Sequence, residues 1–453
     1  MSEEGGARTA TRVGGVTEAR HVAAEICHDL RRGELLDGSF DRQAKRLDSR
    51  DRRFTRELVY GMLRRRAWLD ALLDARVRGG LARLDPDVLD LLRLGAYQLL
   101  YMRSVPAYAA IAQTVELAKR RHSMGPSRLS NAVLRRLDRE GESEPLRVDM
   151  PVDPIDALAL VESHPRWLVA RWVARWGEEE TRRLLRANNT EPPIVARPIH
   201  AVREQVEAML EAAGIAVADA PLVNDSILLA SPVSALTELG AFRQGLFHVQ
   251  DPASTLVTKY AAVPEGARVA DVCAAPGGKA IELSRRASAV FASDLSVARL
   301  RRVVENTRRL ELPSVFPYVA DARRPAIREG SADVILIDAP CTGTGTFRRH
   351  PDARWRLKTS DLAVMAALQR ETLRATASVI APGGLIVYST CSLETEENDM
   401  QIERFLAEHP HWRLDPPPDG AVPAVVLDAG RLRVLPQKHG TDGAFAARLR
   451  RIA

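Results

Sequence analysis

The chain has 453 residues, more than one hydrophobic core usually organises, so two or three domains are expected. Lys and Arg number 65 against 59 Asp and Glu, and this mild excess, +6, permits a polyanionic partner without requiring one. Four cysteines are too few for a disulfide scaffold, and neither a metal-ligand spacing nor a membrane-spanning apolar run occurs. We therefore expect a cytoplasmic protein with free thiols, no metal and no membrane contact. Residues 1–15 are expected to form a disordered tail.

Residues 16–143 predict an all-helical bundle without strands. The segment "LDPDVLDLLRLGAYQLLYM" is typical, because Asp85 is placed to cap a helix and Pro86 to occupy its first position. A buried stripe at helical spacing then follows, formed by Val88, Leu91, Leu92, Gly95, Ala96 and Leu99.

Arginines recur along this helical region, for example in "SRDRRFTREL" and "GMLRRRAW". They are either a solvated helix surface or a face that contacts nucleic-acid phosphates. Asp and Glu interleave with many of them, so the sequence does not decide between the two.

Polar and Pro-rich residues 144–154 predict a linker because they break the helical periodicity. A small α/β subdomain is predicted for residues 155–240, where a helix with Trp167, Trp172 and Trp176 precedes a strand–helix–strand pattern. We interpret these tryptophans as core residues and the subdomain as a second RNA-binding element.

Strands and helices alternate through residues 241–453, which predicts parallel βαβ units in a doubly wound, Rossmann-like domain. Ligands bind such sheets at the carboxyl ends of the strands. Asp271, Asp294, Asp321 and Asp338 are each predicted at the end of a strand, so their carboxylates are expected near one site.

The loop "DVCAAPGGKA" lacks both the G-x-G-x-x-G fingerprint of NAD sites and the P-loop motif. Gly277 and Gly278 let the backbone approach a ligand, and Asp294 lies where an acid can bind ribose hydroxyls. These features favour a nucleoside without pyrophosphate, of which S-adenosylmethionine is the common one. Lys279 is either a solvent-exposed lysine or a positive charge beside the substrate or the methionine carboxylate.

Two of the four cysteines follow predicted strands, in "DAPCTGTG" and "YSTCS". Methylation of cytosine carbon 5 needs a thiolate that adds to carbon 6, and a carboxyl group at ring nitrogen 3 favours that addition. Asp338, Cys341 and Cys391 offer these groups to one pocket, although the residues alone do not assign a role to each thiol. Cys27 and Cys273 are interpreted as small buried apolar side chains.

An ordered set of motifs, "DVCAAPGGK", "DAPCTGTG", "RRHPDARW" and "YSTCS", resembles the RsmB/Sun-type 16S rRNA (cytosine-5)-methyltransferases. The N-terminal stretches "LDSRDRRFTRELVYGMLRRR" and "LDLLRLGAYQLLYMRSVPAYAAIAQTVELAKR" resemble the NusB-like helical domain of the RsmB branch. The resemblance implies an RNA-binding helical domain over residues 16–143 and a methyltransferase domain over 241–453. It also implies a target, cytosine 967 of 16S ribosomal RNA.

The same resemblance implies the roles of individual residues. Cys391 is expected to be the nucleophile, Cys341 to assist product release, and Asp338 to hydrogen-bond the cytosine, with Lys279 also in the catalytic set. The predicted S-adenosylmethionine site consists of Cys273, Ala274, Ala275, Pro276, Gly277, Gly278, Lys279, Asp294, Arg299, Asp321 and Asp338.

Three other functions remain open from the sequence. The chain could be a tRNA cytosine-5 methyltransferase, an RNA-binding or antitermination module with an inert catalytic half, or a small-molecule methyltransferase. The NusB-like domain disfavours the first, and the intact cysteines and aspartates disfavour the second. A small-molecule enzyme would leave the helical domain without a purpose. The expected partner is 16S ribosomal RNA, naked or in a partly assembled small subunit, bound by a monomer.

Overall fold

The computed structural model describes residues 12–13, 15–230 and 236–452. Most of the tail expected over residues 1–15 lies outside this part of the chain, and Arg12–Val13 pairs with Val16–Thr17 as the short strands β1 and β2. Two compact units are distinguished: one runs to Asn189 and also contains His350–Arg356, and the other contains Thr190–Arg349 and the chain from Leu357 onward.

The first unit is built of helices. Its first ten are α1 (Glu18–Arg31), α2 (Leu36–Gln43), α3 (Ser49–Arg64), α4 (Arg66–Asp74), α5 (Pro86–Tyr101), α6 (Ala107–Arg121), α7 (Met124–Ser143), α8 (Pro154–Val161), α9 (Arg166–Trp176) and α10 (Glu178–Asn188).

Helix α5 begins as the sequence predicts. The Asp85 carboxylate accepts a hydrogen bond from the Asp87 amide at 2.8 Å, and Pro86 fills the first turn. The helix is buried over most of its length, since Leu91, Leu92 and their neighbours are covered by α3, α6 and α7. At Gly95 a β-carbon would lie 2.7 Å from Leu134 Cδ1, so a larger residue there would displace this side chain of α7.

Several arginines of this unit are tied to two acids of α5, which we call the Asp87–Asp90 cluster. Asp87 accepts hydrogen bonds from Arg31, from Arg121 Nε at 2.8 Å and from His122 Nε2 at 2.9 Å. Asp90 accepts from Arg31 and from Arg93. These arginines therefore serve the fold of the helical unit.

The second unit begins with an antiparallel four-stranded sheet in the order β4-β5-β3-β6. Val206, Leu210, Ile227 and Phe247 form the centre of its core. The strand–helix–strand pattern predicted here is confirmed, and the sequence missed the two outer strands. The elements are β3 (Ile194–Pro198), α11 (Arg203–Ala212), β4 (Val217–Asp219), β5 (Ile227–Leu229), α12 (Gly240–Arg243) and β6 (Phe247–Val249).

A nine-stranded sheet forms the rest of this unit in the described residues. Its strands are β7 (Arg268–Asp271), β8 (Ala289–Asp294), β9 (Val315–Val319), β10 (Ala332–Asp338), β11 (Ile380–Thr390), β12 (Trp412–Leu414), β13 (Leu427–Asp428), β14 (Arg431–Val434) and β15 (Ala444–Arg451). The remaining helices are α13 (Pro252–Ala261), α14 (Gly278–Leu283), α15 (Val297–Arg309), α16 (Ala353–Arg356, part of the first unit), α17 (Thr359–Val379), α18 (Asp399–Glu408) and α19 (Pro436–His439).

The main sheet runs in the order β13-β14-β15-β11-β10-β7-β8-β9, with β12 paired to β15. The five strands from β9 to β11 are parallel, whereas β15 joins β11 antiparallel. Successive residues of β10 alternate between two hydrophobic clusters, Val334 and Leu336 in one and Ile335 and Ile337 in the other. Both faces of the sheet are thus covered, and the predicted Rossmann-like class is confirmed.

Helix α18 begins at Asp399, later than the acidic run "ETEEN" suggests. The reason is that Glu394, Glu397 and Asn398 are buried. Glu397 accepts a hydrogen bond from the Thr342 amide in the loop after β10, and Asn398 accepts one from the Thr390 hydroxyl at the end of β11. These charged and polar residues therefore lie inside the domain.

Candidate active site

The ends of four neighbouring strands bring the predicted site residues to one edge of the sheet. Asp338 and Ser389 are paired in the register of β10 and β11, and Leu336 pairs with Asp271 of β7. Asp294 ends β8, next to β7. Cys391 follows β11 directly. We call this region, with Asp271, Lys279, Asp338, Cys341 and Cys391, the carboxyl edge.

Lys279 and Asp338 form an ion pair at this edge. Lys279 Nζ donates to Asp338 Oδ2 at 2.7 Å, and Ser389 Oγ donates to Asp338 Oδ1 at 3.0 Å. Burial opposes the positive charge of Lys279, but the Asp338 carboxylate outweighs it and raises the lysine pKa. Lys279 is therefore an ammonium group that holds the carboxylate, and it is not a solvent-exposed lysine.

The two strand-end cysteines lie against each other, with their Sγ atoms 3.4 Å apart. The hydrogen bond to Cys391 and burial raise the pKa of Cys341 well above its usual value. Cys341 is thus held as a thiol beside a second sulfur, an arrangement suited to passing a proton between the two groups.

The loop after β7 is fixed by its neighbours. Asp294 accepts from the Ala275 amide at 3.3 Å and from the Ser296 amide at 2.9 Å, and Arg299 donates to the Ala275 carbonyl at 2.6 Å. Gly277 has φ +108°, and a β-carbon there would lie 3.3 Å from the Val303 Cα. Glycine is therefore required for this close turn.

Asp271 is completely buried beneath this loop. Neither carboxylate oxygen has a hydrogen-bond partner of good geometry, although the Cys273 amide lies close enough to lower its pKa. Burial, followed by the nearby Asp338 charge, raises the Asp271 pKa to about 7. Asp271 is therefore a buried acid whose charge is not compensated by a hydrogen-bonded partner.

The chemistry of these residues fits S-adenosylmethionine, a nucleoside that carries a sulfonium and an ammonium charge. A cationic ligand would lie near three carboxylates, those of Asp271, Asp294 and Asp338. The Gly277–Gly278 turn has no side chains that would obstruct its approach. Asp321 lies two residues beyond β9, where its carboxylate is paired with Arg323 Nη2 at 2.7 Å. Cys273 is only half-buried, whereas Cys27 is fully buried as expected.

Sequence reasoning missed Glu397, which is buried between the two cysteine loops. Its carboxylate accepts hydrogen bonds from the Thr342 amide at 2.9 Å and from the hydroxyls of Thr342 and Ser392. The available signal was weak, since an acid five residues after Ser392 in a run of glutamates resembles a solvated helix.

The "RRHP" segment that follows the Cys341 loop is held by buried acids. Arg348 donates to Asp251 at 2.8 Å and to Asp442 at 2.5 Å, and Arg349 donates to the same two acids. Asp251 also caps α13. This network joins three segments of the chain that are distant in the sequence.

The described residues contain neither a metal-binding cluster nor a membrane-spanning helix. No group of three or more His, Cys, Asp or Glu is placed to hold a metal ion. No helix in this part of the chain has the length and apolar character to cross a bilayer.

Three protein-family models match the chain. Residues 260–450 match the model described as 16S rRNA methyltransferase RsmB/F, residues 17–139 match the NusB family, and residues 164–235 match a ferredoxin-like domain of RsmF/B-like methyltransferases.

Curated relatives match almost end to end. A probable ribosomal RNA small subunit methyltransferase B from Synechocystis is 34% identical over 96% of this chain and 99% of its own length. Ribosomal RNA small subunit methyltransferase B from Pseudomonas syringae is 37% identical over 92% of this chain and 93% of its own.

Solved structures share the fold. A crystal structure titled PH0851 superposes with a TM-score of 0.80 at 26% identity, covering 95% of this chain and 98% of that one. A methyltransferase homologue from Pyrococcus horikoshii gives a TM-score of 0.56 at 28% identity, covering 66% of this chain and all of that one.

Proposed function

The chain belongs to the ribosomal RNA small subunit methyltransferase B family, and on that premise we propose that it methylates carbon 5 of a cytosine in 16S ribosomal RNA. It is an S-adenosylmethionine-dependent RNA methyltransferase. One observation carries the proposed chemistry: two thiols, a carboxylate and an ammonium group meet at the carboxyl edge, with 3.4 Å between the sulfurs.

The proposed reaction begins with Cys391. Its thiolate adds to cytosine carbon 6, and ring nitrogen 3 gains a proton. The Lys279 ammonium group passes this proton through the Asp338 carboxylate, which then accepts a hydrogen bond from the protonated ring nitrogen. Electron density thereby moves to carbon 5. S-adenosylmethionine supplies the electrophilic methyl group when it is bound beside the loop from Cys273 to Lys279.

Release of the product requires two further changes in the pyrimidine ring. A water molecule accepts the proton of carbon 5, and the electron pair of that bond forms the double bond between carbons 5 and 6. The bond between carbon 6 and sulfur breaks with its electron pair returning to Cys391, and ring nitrogen 3 returns its proton to Asp338. Cys341 assists this release, since its sulfur lies in hydrogen-bond contact with the leaving sulfur.

The domains divide the work in this proposal. The helical domain over residues 16–143 and the α/β subdomain over 155–240, joined by a linker at 144–154, hold the RNA, and residues 241–453 carry out the chemistry. We further propose that the protein is a cytoplasmic monomer and that its target is cytosine 967. Its substrate is either naked 16S ribosomal RNA or a partly assembled small subunit.

The test incubates the protein with labelled S-adenosylmethionine and 16S ribosomal RNA, and maps 5-methylcytosine by bisulfite sequencing. Methylation of one cytosine, unaffected by an excess of tRNA or free cytidine, supports the proposal. Preferential methylation of tRNA would favour the tRNA enzyme, and inhibition by cytidine would favour a small-molecule enzyme. RNA binding without methyl transfer would favour the inert RNA-binding module.

A further inference from the structure

Glu397 is the buried acid that touches both cysteine loops of the carboxyl edge. It is completely inaccessible to solvent and comes from the turn before α18. Its Oε1 accepts from the Thr342 amide at 2.9 Å, and its Oε2 accepts from the Thr342 and Ser392 hydroxyls. These two partners directly follow Cys341 and Cys391 in the chain.

A third element completes this network. Gln369 of α17 donates to Glu397 Oε1 at 3.0 Å and to the Pro340 carbonyl at 2.8 Å, so it contacts the chain just before Cys341 as well. The Glu397 carbonyl in turn accepts from the Tyr388 hydroxyl at 2.6 Å, which fixes the turn to β11. The carboxylate is therefore held firmly enough to position the loops that bond to it.

We infer that Glu397 is a positioning residue that ties the Cys341 loop to the Cys391 loop and so sets the distance between the two sulfurs. It does not touch the reacting atoms. Its effect comes through Thr342 and Ser392, because a displacement of either loop by about 1 Å can cost on the order of 10²-fold in rate. The inference rests on the proposed function only for its effect on methyl transfer.

The charge of Glu397 has a second consequence for its neighbours. It lies close enough to Cys341 to help raise the pKa of that thiol, after the larger contributions of the Cys391 hydrogen bond and burial. Other titratable groups also interact with the sulfurs, Lys279 with Cys391 and Tyr388 with Cys341. Glu397 thus favours the protonated form of the cysteine assigned to product release.

Two substitutions separate position from charge. Glu397→Ala removes all contacts with the two loops. Glu397→Gln can keep them, since its Oε1 accepts from Thr342 N and Gln369, and its amide donates to the Thr342 and Ser392 hydroxyls, which also accept. Asp399→Asn is a matched control: Asp399 begins α18 nearby, is bonded to Arg431 and Arg433, and contacts neither cysteine loop.

The experiment measures two quantities for each variant. The first is the rate of disulfide formation between Cys341 and Cys391 with diamide, where both thiols are oxidised and the diazene is reduced to a hydrazine. This rate reports the approach of the sulfurs without RNA or cofactor. The second is kcat and KM for methyl transfer to 16S ribosomal RNA, with circular dichroism melting as the check on folding.

We expect Glu397→Ala to slow disulfide formation at least tenfold and to lower kcat about 10²-fold with little change in KM. Glu397→Gln should restore both rates to within about fivefold of wild type, and Asp399→Asn should change neither. The inference is overturned if Glu397→Ala oxidises as fast as wild type, or if Glu397→Gln is as slow as Glu397→Ala. If wild type transfers no methyl group, the proposed function fails, and the oxidation rates still decide the inference.

Discussion

The Asp87–Asp90 cluster and the carboxyl edge use similar charged residues in opposite ways. In the cluster each acid is matched by two or more cationic side chains, and Arg121 and Arg31 hold the pKa of Asp87 well below its usual range despite burial. At the carboxyl edge Asp271 has no such partner and its pKa is raised to about 7. Paired charges stabilise a fold, whereas under-compensated ones mark the place where a ligand or a reaction is accommodated.

The largest effects are expected when the two cysteines of the carboxyl edge are replaced. Cys391→Ala should abolish methyl transfer and form no RNA adduct, because the nucleophile is lost. Cys341→Ala should also stop turnover but accumulate a covalent RNA–protein adduct on a denaturing gel. The reverse pattern would make Cys341 the nucleophile. Cys27→Ala is the control that retains activity, because Cys27 lies in helix α1 of the first unit.

Asp338→Asn should have the next largest effect. The amide can still bond Ser389, but it cannot pair with Lys279 or give a carboxyl group to ring nitrogen 3, so kcat should fall about 10²-fold or more. Steady-state kinetics measure the change. Asp333→Asn is the control, since Asp333 lies near the opposite end of the same strand and pairs with Arg268. A loss confined to KM would contradict a role in the chemical step.

Removal of the Asp271 charge should stabilise the protein at neutral pH. The folded pKa of Asp271 is about 7, above the ordinary value of 3.8. Below about pH 4 the carboxyl group is neutral in the folded and unfolded chains and costs no stability. As pH rises through about 7, the unfolded chain is ionised more readily than the folded one, so the free energy of unfolding falls. The difference corresponds to at most about 4 kcal/mol. Asp271→Asn should therefore match wild type in denaturant unfolding at pH 4 and exceed it at pH 8.

The opposite pH response would contradict a buried, under-compensated acid. Equal stability of the two proteins at both pH values would contradict it too. The experiment is best run without S-adenosylmethionine, so that ligand binding does not shift the unfolding equilibrium.

In the Asp87–Asp90 cluster, Asp87→Asn should lower the free energy of unfolding and leave the rate of methyl transfer unchanged. It leaves Arg31 and Arg121 without their shared carboxylate, for a loss of about 1–3 kcal/mol in unfolding free energy. Methyl transfer by the folded protein should keep its kcat. A large fall in kcat at unchanged stability would show that the cluster belongs to the catalytic apparatus.

The smallest effect is expected at an exposed pair. Arg182 donates to Glu178 one helical turn earlier at 2.6 Å, and Arg182→Gln should change the unfolding free energy by less than about 0.5 kcal/mol. A thermal melt at low and high salt measures it. If Arg182→Gln lowers the unfolding free energy as much as Asp87→Asn does, solvent exposure does not explain the difference in stability between exposed and buried ion pairs.

The sequence predicts what depends on local order along the chain. Asp271, Asp294 and Asp338 are predicted at strand ends because each follows a run of apolar residues, and each lies at the end of its strand. The sequence does not predict strand β15, because "AFAARLRR" mixes small residues with arginines. Its pairing with β11, β12 and β14 explains the pattern.

Contacts between distant parts of the chain left no such signal. Arg348 meets Asp251 and Asp442, which lie 97 and 94 residues away. Glu397 meets Thr342 across 55 residues. One sequence contains no record of which charges will be brought together, so the buried acids that support the site could not be found from it.

The segment His350–Arg356 limits how the domains of this protein can be exchanged between genes, because it belongs to the first unit although it lies far along the chain. Arg354 is fully buried in the first unit, where it donates to the Asn188 carbonyl at 2.9 Å and to Asn189 Oδ1 at 2.8 Å, and Trp355 Nε1 donates to the Leu63 carbonyl at 2.9 Å. If the gene were divided after residue 189, the C-terminal fragment would carry Arg354 without its acceptors Asn188 and Asn189. The N-terminal fragment would lack the side chain that fills this position in its core. The helical unit is therefore not a detachable module, and its exchange between genes would require a second, compensating change more than 150 residues downstream.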